Sequence, residues 1–305
     1  MNEQAKVRAA TAAALIGNAI FGFSFMFSRI ALEAATPFVM LMYRFLAAAL
    51  MLSLLAFWSV RRGAEEGSWL RFSLRDKPIA PLLGLGLVQP VIYFLCESYG
   101  ISMTNATVSG VLIALIPIAA LALGRLFLKE TPRTGQVLWS LLSIAGVILM
   151  TMQQSAGGEI RPLGVLLLIG AVLTGAAYNI ISRSLSARYS VLERTVVMMV
   201  MAAIVFAALA VWQTGGDMAL LLAPLHSPGF LAALLYLAAC SSVGAFMLLN
   251  YANNELPVAK TTAFCNLTTV ISLFAGVVFL GEPFGWASVA ASAMIVLGIW
   301  GVQRS

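Results

Sequence analysis

Charge is scarce in this chain: 18 Lys and Arg with 12 Asp and Glu make up only 10% of 305 residues, where a soluble domain carries about a quarter. One histidine and three cysteines leave little for a metal or catalytic cluster. His226 falls in a loop, and Cys96, Cys240 and Cys265 sit inside apolar stretches, where a thiol behaves as a small apolar group. No disulfide framework, metal site or cofactor is expected. A membrane-embedded enzyme would need clustered histidines, cysteines or carboxylates at the interface, and a channel would need ring-forming charges or a re-entrant filter; the sequence offers neither. A net charge of +6 would suggest nucleic acid in a soluble protein, but here the basic residues gather in short loops and report topology.

What the chain has in excess is apolar length. Hydrophobic residues reach 61% and mean hydropathy is +0.96, the composition of an integral membrane protein. Crossing roughly 30 Å of hydrocarbon takes about 20 apolar residues, and ten stretches qualify. They run Ala9 to Ile30, Pro37 to Trp58, Ile79 to Tyr99, Ala106 to Leu128, Gly135 to Met152, Leu163 to Ser182, Thr195 to Gln213, Gly229 to Tyr251, Val258 to Leu280 and Phe284 to Gln303. Trp58, Trp139, Trp212, Trp286 and Trp300 fall near their ends, as an interfacial belt requires. Lys6 and Arg8, the loop from Ser59 to Pro78, Lys129 and Arg133, and Arg183, Arg188 and Arg194 all fall on one side; Arg161 stands on the other. The positive-inside rule therefore places both termini in the cytoplasm, with the protein multi-pass in the inner (plasma) membrane.

The chain repeats itself. Phe127-Leu-Lys-Glu130 returns as Phe279-Leu-Gly-Glu282, the same register pairs Ser98-Tyr99 with Asn250-Tyr251, and Gly17 and Gly22 return as Gly170 and Gly175. Five spans per half is an odd number, so the second half enters the membrane from the other side. The expected architecture is all-α, with ten transmembrane helices in two inverted five-helix repeats, residues 1–152 and 153–305. The glycines permit close helix approach, and Glu130 and Glu282 anchor short turns.

Several patterns now join: Gly17 and Gly22 with Phe25 and Arg29 in the first span, Pro37 and Arg44 in the second, and Thr104-Asn-Ala-Thr-Val-Ser-Gly110 leading through Pro117 to Glu130. Together they resemble the EamA branch of the drug/metabolite transporter superfamily over essentially the whole chain. The resemblance implies ten helices around a central cavity and transport of small metabolites, amino-acid export among them.

Gln89, Tyr93 and Glu97, spaced by four, form a polar stripe on the third span that must face protein or water. Gln89 and Tyr93 are expected to wall a cavity near the midplane, joined by Asn18, Phe21, Thr174, Ser241 and Asn266 as substrate contacts. Glu97 either faces that cavity, to bind a proton or a substrate ammonium, or pairs with Arg44 near the outer surface. The pair is the more favoured expectation, with gating as a further role and Tyr178 as an inner gate. The expected cargo is a neutral or zwitterionic solute such as an amino acid, exported with possible proton coupling. The alternative is a cationic amine or quaternary ammonium held by Glu97 among Tyr93, Phe21 and Phe25. The oligomeric state is open.

Overall fold

The computed structural model describes residues 3–63, 68–75, 77–103, 112–153, 161–280 and 285–305. Thr104–Gly110, Glu282 and the expected start of the fourth span at Ala106 lie outside them. The described chain is helical. In chain order it forms α1 (Glu3–Leu32), α2 (Pro37–Arg61), α3 (Ala80–Gly86), α4 (Tyr93–Ser102), α5 (Ile116–Leu123), α6 (Thr134–Gln153), α7 (Pro162–Leu185) and α8 (Val191–Thr214). The short α9 (Met218–Leu222) leads to α10 (Pro228–Leu235), α11 (Phe246–Glu255), α12 (Val258–Ala263), α13 (Leu267–Leu280) and α14 (Trp286–Arg304).

Local sequence sets these boundaries. Proline at the first helical position starts α2, α7 and α10, where its fixed φ suits the helix and its missing N–H would have had no partner. A capping box starts α8: Ser190 Oγ accepts from Glu193 N and the Glu193 carboxylate accepts from Ser190 N. Gly215, at φ +63°, ends that helix in the left-handed conformation that favours glycine.

Among the described residues, eight helical paths are long and apolar enough to cross a membrane: Gln4–Leu32, Pro37–Arg61, Ala80–Gly100, Pro162–Leu185, Val191–Thr214, Pro228–Glu255, Val258–Phe279 and Trp286–Arg304. Two shorter apolar helices accompany them among the described residues, Ile116–Leu128 and Thr134–Leu149. Their outer surface is what a bilayer solvates, with Leu50, Leu166, Ile204 and Trp212 all largely exposed. Trp58, Trp286 and Trp300 are exposed at helix ends as expected. Trp139 differs: it turns inward and packs on α14 at Gly301, where a Cβ would lie 2.0 Å from the indole ring.

Three of these paths contain wide turns, and a fourth, Val258–Phe279, tightens into a 3-10 turn at Phe264–Asn266. Wide π-type turns occupy Leu87–Ile92 between α3 and α4, Gly124–Leu128 after α5, and Tyr236–Ala245 between α10 and α11. The register that pairs Ser98-Tyr99 with Asn250-Tyr251 carries the first of these onto residues 239–244, inside the third. The extensive helix contacts join the two halves of the sequence. α2 packs on α8, α6 on α14, α4 on α7, and α1 on α11 and α13. Gly22 makes the last of these possible, because a Cβ there would stand 2.4 Å from Ile271 Cβ and 2.9 Å from the Thr268 carbonyl. In hydrocarbon, where apolar burial does not drive helix association, such close approach is what holds helices together. Gly22→Val should therefore separate α1 from α13 at a cost of ~1–3 kcal/mol, read as a lower midpoint in detergent thermal unfolding; an unchanged midpoint would show that this approach is not needed.

Candidate functional site

Two hollows stand out among the described residues of the bundle. The first, about 510 Å3, runs from mid-bundle to the helix ends at Arg29, Leu32 and Pro37, and its wall takes residues from α1, α2, α4, α7, α11 and α13. The second, about 500 Å3, lies at the opposite end between Glu130, Arg133, Arg183 and Lys260.

The first cavity gathers most of the polar residues singled out above. Asn18, Phe21, Phe25, Arg44, Gln89, Tyr93, Glu97, Tyr178 and Asn266 all line it. Thr174 and Ser241 do not. Thr174 donates to its own helix at the Gly170 and Ala171 carbonyls, 2.8 and 3.1 Å away. Ser241 is fully buried and accepts from Arg44 Nη2 at 2.9 Å. Asn18 also satisfies its amide on its own helix, at Ala14 O, whereas Asn266 bridges to Ser143 Oγ on α6 at 3.1 Å.

The polar stripe on the third span departs from the expected single helical face. Gln89 has extended backbone (φ −146°, ψ 126°) inside the wide turn, next to Pro90, which has no N–H to give. Tyr93 and Glu97 remain one turn apart on α4, and Tyr93 donates its hydroxyl to Glu97 Oε1 at 2.8 Å. Gln89 Oε1 is buried and accepts no hydrogen bond.

The expected Arg44–Glu97 pair is not in direct contact among the described residues: the two charges attract through space, with no hydrogen bond and no approach within 4.0 Å. Arg44 instead points its guanidinium across to the second half, Nε donating to Ser242 Oγ at 2.8 Å and Nη2 to Ser241 Oγ. Adjacent residues of a regular α-helix do not face one partner; here both serines lie in the wide turn Tyr236–Ala245. Phe94 and Phe45 flank the cation, with ring centroids 5.2 and 5.5 Å from Cζ.

Aromatic rings and a polar node close the cavity at depth. Phe21 packs edge-on to Phe246, centroids 5.2 Å apart, and Tyr178 does the same from α7 at 6.0 Å. The Tyr178 hydroxyl then donates to Asn250 Oδ1, which also accepts from Ser182 Oγ at 2.7 Å, while Asn250 Nδ2 donates to Thr195 Oγ1 at 3.0 Å. Arg194, wholly buried, donates to Ser182 O, Ser182 Oγ, Asn250 O and Asn254 Oδ1. This corrects the reading of Arg194 as a loop charge. It lies in the first turn of α8 and fastens α7, α8 and α11 together, neutral oxygens meeting a guanidinium that hydrocarbon would not tolerate alone. Arg183 likewise sits in the last turn of α7 and not in a loop.

Two ion pairs then strap the halves together at this closed end. Glu130 accepts from Arg183 Nε at 2.6 Å and from Val258 N at 3.0 Å, tying the end of α5 to the end of α7 and the start of α12. Glu193, fully buried, accepts from Lys77 Nζ at 2.8 Å and from Ser73 N at 2.8 Å, so the segment after α2 is laid over the start of α8. The sequence pointed to neither Asn250 nor Arg194. The available signal was the polar run Asn250, Asn253 and Asn254 at the end of an apolar span, spaced to share one helical face.

A multi-span helical bundle with a cavity lined by polar and aromatic residues suits a membrane transport protein, and the comparisons give that class. A model of the EamA-like transporter family matches residues 9–152 and again 162–304. This chain belongs to that family. It is 31% identical to the uncharacterized transporter YcxC of Bacillus subtilis over 95% of this chain and 91% of that one. It is 27% identical to a probable terminal-alkyne amino-acid exporter of Streptantibioticus cattleyicolor, over 75% of this chain and 74% of that protein. A protein of known crystal structure at 18% identity matches with a TM-score of 0.76 over 97% of both chains, which establishes the shared fold.

The node predicts a clear contrast in stability. Asn250→Ala strands the Tyr178 and Ser182 hydroxyls and should lower the detergent unfolding midpoint by the equivalent of ~1–3 kcal/mol. Thr174→Val, which removes only a bond to its own helix, should change it little. Equal midpoints for the two variants would contradict the role given to the node.

Proposed function

We propose that the chain is a secondary active transporter that exports small neutral or zwitterionic solutes, amino acids foremost, by alternating access. The observation that carries this reading is the first cavity. It is open toward one end of the bundle and closed toward the other by the Tyr178–Asn250–Arg194 node, and it combines Arg44, Glu97 and Gln89 with the rings of Phe21, Phe25 and Tyr93. A transporter needs such a chamber, accessible from one side at a time, near the interface of its repeats.

Three observations support ten helices in two inverted repeats, residues 1–152 and 153–305. The family model matches twice. The wide turn at Leu87–Ile92 recurs in register within Tyr236–Ala245, although the one at Gly124–Leu128 falls on 276–280 inside the regular α13. The contacts obey the pairing that a twofold axis in the membrane plane requires: the second helix of each half meets its counterpart, as does the fifth, while the first helix of the second half packs on the third of the first half and the reverse contact also occurs. With both termini cytoplasmic, the open end is the outer one, and the hollow between Glu130 and Lys260 is the inner vestibule. Conversion to an inward-open state then breaks Glu130–Arg183 and Lys77–Glu193 and closes the mouth.

The exporter name carried by the Streptantibioticus relative favours amino acids as cargo. The cationic-amine reading draws on the same wall, because Glu97, Phe21, Phe25 and Tyr93 all line the cavity; the guanidinium of Arg44 on that wall disfavours a cargo of net positive charge. Proton coupling is assigned to Glu97, the acidic residue on the cavity wall.

Counterflow in proteoliposomes tests the proposal. Preloaded unlabelled leucine should drive saturable accumulation of labelled leucine, and Gln89→Ala should abolish it; a non-saturable ionic current in its place would refute transport. Glu97→Gln should remove the pH dependence of exchange, and a variant with the wild-type pH profile would take the coupling role away from Glu97. For topology, an impermeant maleimide should label Ser98→Cys, in a background lacking the three native cysteines, from outside intact cells; labelling only in inverted vesicles would reverse the orientation.

A further inference from the structure

The cavity wall carries three polar groups whose bonding is incomplete. Arg44 is 97% buried, its Nε and Nη2 are held by Ser242 and Ser241, its Nη1 has no hydrogen bond among the described residues, and no carboxylate there comes within 4.0 Å of it, Glu97 attracting it only through space. Glu97 spends Oε1 on the Tyr93 hydroxyl, while Oε2 accepts from no described residue. Gln89 Oε1 is buried and unpaired. A buried cation and an unmet buried acceptor are both costly in hydrocarbon, so a protein retains them where a ligand completes their bonds.

We infer that the cavity reads its cargo at two poles: Arg44 binds the carboxylate, and Glu97 with Gln89 binds the ammonium. A zwitterion satisfies both poles at once and brings no net charge into the membrane. A carboxylate without an ammonium leaves Glu97 and Gln89 unmet, and an amine without a carboxylate leaves Arg44 unmet and adds a like charge beside it. Rejection of both is therefore built into the wall. Ser241 and Ser242 are positioning residues. They fix the planar guanidinium through Nε and Nη2 and leave Nη1 without a bond among the described residues, an arrangement that Lys, a point charge on a flexible stem, would not reproduce. Phe94 and Phe45 hold the fork from either side. Placing Ser241 and Ser242 on the second half and Arg44 on the first also makes the carboxylate pole a joint product of both halves, remade or broken as they move.

This assignment rests on the transporter reading and is tested with leucine, its decarboxylated analogue 3-methylbutylamine and its deaminated analogue 4-methylpentanoate as competitors of labelled-leucine counterflow. In the wild type, leucine should compete and neither analogue should do so at tenfold higher concentration. Arg44→Gln should raise the leucine KM about 100-fold and let 3-methylbutylamine compete. Arg44→Lys keeps the charge for folding and should still raise KM at least tenfold. Ser241→Ala and Ser242→Ala should each raise KM while leaving the maximal rate nearly unchanged, which a merely structural role would not do. Saturable leucine exchange with a wild-type KM in Arg44→Lys and Arg44→Gln would overturn the two-pole site and leave transport standing. Wild-type protein that exchanges 3-methylbutylamine and not leucine would overturn both the two poles and the zwitterion reading.

Discussion

Hydrocarbon supplies no hydrogen-bond partners, and the organisation of this molecule follows from that constraint. A polar group in the bundle must find its partner in protein, because leaving it unmet costs several kcal/mol. Most of the polar groups here do so locally: Asn18, Ser24, Thr174, Asn179 and Thr195 each donate to a carbonyl of their own helix. The remainder divide into two sets. One is densely paired, at Arg194, Asn250, Ser182 and Tyr178, and ties α7, α8 and α11 together at that end. The other is incompletely paired, at Arg44, Glu97 and Gln89, and faces space. The boundary between scaffold and site is the boundary between these sets.

The same division separates the two ends of the bundle. Individual interhelical hydrogen bonds in membranes are modest, averaging about 0.6 kcal/mol where measured, so a closed end takes several acting together. Here a buried guanidinium, two asparagines, a serine, a threonine and a tyrosine cooperate within the second half, and the bonds that reach across to the first include the Glu130–Arg183 and Lys77–Glu193 pairs, Ser73 N to Glu193, Ser190 Oγ to the Arg71 carbonyl and the Tyr189 hydroxyl to the Pro78 carbonyl. Such an arrangement suits a moving part: the node lies within one half, and the ion pairs and hydrogen bonds between the halves at this end are what a change of state must break. Arg44 does the equivalent service deeper in the bundle, where its serine partners belong to the opposite half.

Much of this was legible in the sequence, and the gaps have physical causes. Apolar length located eight of the spans to within about five residues among the described residues, since span length is dictated largely by bilayer thickness. The polar stripe on the third span correctly drew attention to Gln89, Tyr93 and Glu97, but helical spacing alone implied one continuous face. Pro90 breaks that path and sets Gln89 in extended backbone. Arg44 was expected to seek the opposite charge, as it would in water. The structure instead gives it two neighbouring serines, a geometry that depends on the wide turn in Tyr236–Ala245 and that no periodicity announces. Arg194 was misread for a related reason. A basic residue near a span end counts as a loop charge unless its partners are known, and those partners lie some 50 to 60 residues away, at Asn250 and Asn254.

The central claim is that this arrangement is one of two states, open at the mouth and strapped shut at the far end. Paired spin labels at Lys129→Cys and Ser184→Cys, flanking the Glu130–Arg183 pair in a background without native cysteines, measure that closure directly by pulsed electron double resonance. Without solute the account predicts a dominant short distance; adding leucine that the same preparation exchanges should raise a second, longer population. A distance distribution that stays single and unchanged while exchange proceeds would contradict the account.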